Sequence, residues 1–338
     1  MMIGSVTAWC RTPFALMLLV VAGWCEAGQE VVVYSSRSES LIKPIFDIYT
    51  EQTGVKVVYL TDEAGPLIAR LVAEGSRTPA DMLITVDAGN LWHAAEQGVL
   101  RSVKSRVLEA VVPDQYQDRE NRWFGLSLRA RIIVYSTERV KLGQLSTYEA
   151  LAGPQWQGKL CLRTSKKVYN QSLVAMLIEH QGAGKSEQMV QGWVANLAAP
   201  VFSNDTSLIQ AIVAGQCDVG IVNTYYFGRL QQQAPAMPVA LFWPNQETTG
   251  VHVNISGAGV TTHAKRPAAA QALLEWLAKR SAQEAFAGIN MEYPVNDATR
   301  RDPTVESWGE FKADTLSLEV AGRRQREAIM LMDRAGYK

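Results

Sequence analysis

The sequence predicts an α/β protein of two lobes, each a mostly parallel sheet flanked by helices, joined by two crossing strands. Three observations carry that expectation. From Val31 onward, short apolar runs alternate with segments of helical periodicity, the pattern of right-handed β-α-β crossovers. The alternation breaks at a polar interval, residues 114–122, and resumes near Leu160. Two further apolar stretches, residues 131–135 and 251–261, stand between the blocks and read as crossings, which leaves a cleft with its hinge behind it.

In the first block, a strand at 31–34 precedes a helix carrying Leu41, Ile42, Ile45, Phe46 and Tyr49 on one face and stopped by Gly54. A strand at 55–59 follows, then a helix at 65–74 that turns Leu67, Ile68, Leu71 and Val72 inward, then Gly75 and a strand at 82–86. The second block begins with a strand at 160–162, helices at about 170–180 and 187–197, and a strand at 201–202. Asn204-Asp205-Thr206 reads as the cap of a helix with Leu208, Ile209, Ile212 and Val213 inside, ended by Gly215. The buried run 219–222 then meets Asn223-Thr224, a pair suited to capping a helix that carries Phe227 and Leu230 inward. A strand at 239–242, a strand pair at 251–255 and 258–261, a helix from Pro267 with Leu273, Leu274 and Leu277 inside, and a final helix at about 318–335 complete the chain. This places one lobe at 28–128 plus 250–302 and the other at 129–249 plus 303–338.

At 338 residues and 47% hydrophobic content, the chain is long enough for two cores. Its 33 basic and 33 acidic residues balance and form no long runs, which removes the electrostatic footprint of a nucleic-acid binder. Residues 1–27 read as a cleavable signal peptide: Arg11 precedes the apolar run from Phe14 to Ala22, and Cys25-Glu26-Ala27 offers small residues ahead of a cut before Gly28. The run is too short to span a membrane, so the mature protein is expected outside the cytoplasm. Cys161 and Cys217 remain after cleavage, each beside a predicted strand, and an oxidising compartment favours a bridge between them over two free thiols.

Catalytic signatures are weak. Gly182-Ala183-Gly184-Lys185-Ser186 has the tail of a phosphate-binding loop, but Glu179 stands where the first glycine belongs and a helix precedes it. His93, His180, His252 and His263 are isolated, without two-histidine metal spacing. The expectation is therefore a monomeric binding protein and not an enzyme. Its focus is the junction at Asn223-Thr224-Tyr225-Tyr226, where the turn from strand to helix lets two adjacent phenols serve one ligand.

Seven segments in order carry a resemblance: Tyr34-Ser35-Ser36-Arg37-Ser38-Glu39, Thr78-Pro79-Ala80-Asp81, the run from Leu128-Arg129 to Val134-Tyr135, Arg163-Thr164-Ser165 through Tyr169-Asn170-Gln171-Ser172, Ser203-Asn204-Asp205-Thr206, Asn223-Thr224-Tyr225-Tyr226 and Glu292-Tyr293-Pro294-Val295. Together the mature chain resembles the periplasmic ferric-iron-binding proteins of bacterial ABC importers, transferrin-like members of the type II periplasmic-binding-protein fold. The resemblance implies a periplasmic protein that hands its cargo to an inner-membrane ABC permease. It implies Tyr169, Tyr225 and Tyr226 as iron ligands. Where relatives add a histidine and a tyrosine after the first strand, this chain has Ser38 and Glu39. One branch uses a carboxylate after the third strand; that position falls on Val86 or Asp87, and Asp87 is not assigned as a ligand. These departures imply a synergistic anion such as carbonate, with Arg37 the first candidate to hold it and Arg129 the second. Ser38, Thr164, Ser165, Asn204 and Asn223 are candidate supporting donors or ordinary caps.

The chemistry of the residues agrees. Ferric iron is small and hard, prefers oxygen donors, and is neutralised by three phenolates. A free phenol has a pKa of about 10, so binding must release protons and acid should favour iron release. A guanidinium fork suits a bidentate oxyanion. The alternative is the same scaffold around an organic or oxyanionic solute: a polyamine, a phosphonate or an iron chelate.

Overall fold

The computed structural model describes residues 1, 2, 4 and 30–338; the expected signal peptide and its cleavage point lie outside the described residues. The chain begins β1 (Glu30–Ser35), α1 (Glu39–Thr53), β2 (Lys56–Thr61), α2 (Ala64–Glu74), β3 (Met82–Thr85), α3 (Ala88–Glu96) and α4 (Arg106–Val111). β1 pairs in parallel with both β2 and β3. Ile42, Ile45, Phe46 and Tyr49 of α1 and Leu67, Ile68 and Leu71 of α2 are buried, as their spacing predicts, whereas Val72 and Val213, expected inside, are exposed. Gly54 ends α1 at φ 73°, a left-handed cap that glycine adopts without strain.

The 13-residue strand β4 (Phe124–Ser136) runs through both halves of the molecule. Beyond it come β5 (Leu160–Cys161), α5 (Val168–Gln181), α6 (Ala183–Ala195), α7 (Asp205–Val213), β6 (Val219–Asn223), α8 (Thr224–Gln233), β7 (Val239–Phe242) and the returning strand β8 (Val253–Val260). β8 joins β3 on one side and β4 on the other, antiparallel to each. The far half of β4 pairs with β6 and β7, both antiparallel, and β6 carries β5 in parallel. The sheet order is β2-β1-β3-β8-β4-β6-β5. Reversed strands therefore occur where the chain crosses, and the parallel pairs lie outside them.

Several expectations need correction. The pair of strands read at 251–255 and 258–261 is one strand. The glycines there allow close approach: a Cβ at Gly257 would stand 2.5 Å from the Phe124 carbonyl oxygen, and one at Gly259 would collide with that of Arg122. Residues 201–202 form no regular strand, contributing only a bridge between Phe202 and Arg163. After α9 (Pro267–Ala278), the chain adds α10 (Arg280–Asn290), β9 (Tyr293–Pro294) and the one-turn α11 (Pro303–Glu306). The final helix is broken into α12 (Glu319–Arg323) and α13 (Gln325–Arg334). Gly322 of α12 presses on Trp92 of α3, and the same short helix packs on α5, so this segment wedges between the two halves.

Cys161 and Cys217 form a disulfide, with their Cα atoms 5.9 Å apart. It fastens β5 to the loop entering β6. At the crossing, the buried Tyr148 hydroxyl donates to the Arg131 carbonyl oxygen and accepts from the His252 backbone N–H, so one side chain pins both strands. His252 is itself buried, which pushes its pKa down to about 3 and keeps the ring neutral. No helix among the described residues is long and apolar enough to cross a membrane.

Candidate metal and anion site

Two helix N-terminal turns bring three phenols to one cleft. Tyr169 is the second residue of α5; Tyr225 and Tyr226 are the second and third of α8. The register of β6 on β4, with Asn223 opposite Arg131, fixes where β6 stops and α8 starts. The Ala130 N–H donates to the Thr224 hydroxyl at 3.3 Å and holds that turn against the crossing. The Tyr225 and Tyr226 rings lie 4.4 Å apart, centroid to centroid. Behind Tyr225, an apolar wall of Met291, Tyr293 and Val305 fixes its ring. The phenols open on a cavity of about 240 Å³ whose lining includes Arg37, Arg129 and Lys167.

Burial raises the Tyr225 pKa well above the usual phenol value, and negative charge on Tyr169 or Tyr226 raises it further. Burial likewise raises that of Tyr169, with charge on Tyr226 next in weight and Arg129 opposing. Both rings keep their protons unless a strong cation displaces them. Asn223 donates its amide N–H to the Tyr225 oxygen at 3.2 Å, and Arg163 reaches the Tyr226 oxygen at 3.5 Å. Among the described residues, no three His, Cys, Asp or Glu side chains cluster as a metal site, so the hard donors gathered here are phenols.

The arginines differ sharply. Arg37 pairs with Glu292 at 2.8 Å and donates to the Ser256 hydroxyl, and it lies over the Phe286 ring. The side chain is buried and both of its terminal nitrogens are engaged. Arg131 is committed as well, to Asp205, Asn170, Asn223 and the Ile221 carbonyl oxygen. Among the described residues, Arg129, 2% exposed, has neither terminal nitrogen hydrogen-bonded, and its one ion pair is a loose one with Asp87 at 3.9 Å. A buried guanidinium with open donors facing a cavity is a receptor for an oxyanion.

Residues 77–313 match the family model described as bacterial extracellular solute-binding protein. The chain belongs to this family. It is 40% identical over 316 residues to iron uptake protein A1 of Synechocystis, covering 92% of this chain and 88% of that protein. Among solved structures, the Trichodesmium protein FutA, in complex with iron and citrate ligands, superposes with a TM-score of 0.87 at 41% identity, covering 91% of this chain and all of the other. An apo ferric ion-binding protein A from Pasteurella haemolytica gives 0.86 at 37% identity, covering 91% and 98%. The fold is therefore the type II periplasmic-binding architecture that these family members share.

Within the family frame, the remaining polar candidates separate. Asn223 stands at the start of α8 but does not cap it; its amide serves Arg131 and Tyr225 instead. Ser38 is exposed on the cavity lining. The Thr164 hydroxyl accepts from the Lys166 N–H, so it closes a turn, and it borders a neighbouring cavity. Asn204 caps α7 by accepting from the Ser207 N–H, away from the phenols. Ser165 lines neither cavity and gives its backbone N–H to the Lys338 carbonyl oxygen. Arg163, Asp205 and Glu292 were missed. For Arg163, directly after Leu160-Cys161-Leu162, and Glu292, between Met291 and Tyr293, the sign in the sequence is a charge beside apolar residues, which implies a buried partner without naming it; Asp205 sits in a polar cap and gives no such sign.

Proposed function

We propose that the protein captures ferric iron as cargo outside the cytoplasmic membrane, acting as a monomer, and delivers it to an ABC permease. In this reading Tyr169, Tyr225 and Tyr226 are the ligands, a bidentate oxyanion such as carbonate completes the shell, and Arg129 holds that anion in preference to Arg37. The observation that carries the reading is the convergence of two buried phenols and one half-buried phenol beside an arginine with open donors. Ferric iron is the cation for which such oxygens are good ligands, and displacing their protons couples capture to pH. The Synechocystis and Trichodesmium relatives, named for iron uptake and seen with iron and citrate, support the same cargo. The lobes would be 28–128 plus 250–302 and 129–249 plus 303–338, moving about β4 and β8.

The test is optical. Protein loaded with ferric iron and bicarbonate should show a visible phenolate-to-iron charge-transfer band, and Tyr226→Phe should abolish it. A colourless wild-type protein, with solute affinity indifferent to Tyr225, would instead favour an organic or oxyanionic cargo.

A further inference from the structure

We propose that Glu63 and Lys167 form a gate across the mouth of the cleft and set how fast cargo leaves; this rests on the ferric reading above. Glu63 occupies the cap position of α2, on the side of the cleft built from β1, β2 and β3, and Lys167 the cap position of α5 on the opposite side. The Lys167 Nζ stands 3.6 Å from the Glu63 Oε1. Both residues line two cavities at once. The inner one, about 240 Å³, holds the three phenols and Arg129; the outer one, about 290 Å³, is bordered by Asn90, Thr164 and Lys166. The pair therefore stands in the partition between the phenols and the outer chamber.

Its setting suits a gate. The Glu63 side chain is 77% exposed and that of Lys167 27%, so water reaches the contact and it breaks readily. The contact between Ser172 of α5 and Asp87 beside α3 is buried, with the hydroxyl 2.9 Å from each carboxylate oxygen. That deeper contact joins the halves behind the pair, so when the outer contact is lost the mouth can part about it. Lys167 also lies 5.7 Å over the Tyr169 ring, so the cation that closes the mouth is tethered two residues from a proposed iron ligand. Among the described residues neither gate residue hydrogen-bonds a phenol hydroxyl, but Lys167 lies over the Tyr169 ring, so Glu63→Gln is the variant that alters passage without touching a proposed ligand.

The experiment compares wild type, Glu63→Gln, Lys167→Ala and the charge-swapped double variant Glu63→Lys/Lys167→Glu. Ferric protein is mixed with excess competing chelator, and the decay of the visible band gives the release rate. Each single variant should release iron about two- to fivefold faster, the factor an exposed ion pair supports, and the swap should return toward the wild-type rate. Added salt should speed wild type and leave Glu63→Gln unmoved. Single variants that match wild type, or a swap as fast as the singles, overturn the gate. Metal-free protein gives an independent readout: spin labels at exposed Ser40 and Lys185 should report a longer separation in Glu63→Gln and recovery in the swap. Identical label distances in all four proteins overturn the gate, whereas a wild type that never colours with iron overturns the ferric reading alone.

Discussion

The Arg131 guanidinium lies 2.8 Å from the Asp205 carboxylate, and both side chains are buried. Asp205 also accepts the Asn223 backbone N–H at 2.8 Å, so one carboxylate ties the start of α7 to the crossing strand and to the residue two positions before the tandem tyrosines. Asp205→Ala leaves a buried cation without its counter-ion and is expected to cost about 3–5 kcal/mol, read as a lower urea midpoint. The double replacement Arg131→Met/Asp205→Leu should recover only part of that loss, because it removes the Arg131 charge but still strands the Arg163 guanidinium and the Asn223 N–H that Asp205 also serves. A midpoint that Asp205→Ala leaves unmoved would show that the pair contributes nothing.

Arg129 and Arg37 are expected to fail differently when neutralised. Arg129→Gln removes open donors from the cavity, so the ferric band should form but lose its response to bicarbonate. Arg37→Gln strands Glu292, which is only 2% exposed, and should lower stability by about 3 kcal/mol while the bicarbonate response persists. Titrating each variant with bicarbonate at fixed iron separates them. An unaltered response in Arg129→Gln would remove that residue from the anion site.

Asp87 is expected to give stability a pH dependence whose sign follows from its burial. Burial raises its carboxyl from the usual 3.8 to about 6, against the pull of Arg129 and of the Gly89 and Ser172 hydrogen bonds. A carboxyl raised in the folded state favours folding while protonated, so its contribution is fully present below the unfolded pKa and is lost as pH rises through about 6. The shift corresponds to about 3 kcal/mol at neutral pH. Asp87→Asn should flatten the urea midpoint between about pH 4 and pH 6 relative to wild type. Parallel pH profiles for the two proteins would show that Asp87 does not titrate there.

Much of this was legible in the sequence because it is local. Val31 to Tyr34, the apolar face of α1 and the strand-to-helix turn at Asn223-Thr224 are written in spacing and caps, and the phenols ride on that turn. The helix α3 was not foreseen, since its buried face is mostly small, with Ala88, Gly89, Ala94 and Ala95 giving little periodic signal. Nor could the sequence separate Arg37 from Arg129. The partner that occupies Arg37 is Glu292, 255 residues away, and only the folded sheet brings them together. The capping expectation at Asn223 failed for a related reason: a nearby phenol and a buried arginine compete for its amide better than the helix end does.

The disulfide offers a last measurement. Cys161 sits on the two-residue strand β5, too short to hold itself by backbone pairing alone, and two residues further on Arg163 contacts Asp205 and Tyr226. The bridge spans a sequence separation of 56, for which loop-closure entropy gives about 4 kcal/mol. Cys161→Ser/Cys217→Ser should lower the unfolding midpoint accordingly. In the variant that remains folded, the looser β5 edge lets Arg163 drift from Tyr226, so iron should bind more weakly and the band should broaden. Wild-type affinity together with a lowered midpoint would confine the bridge to stability, and an unchanged midpoint would remove it from both roles.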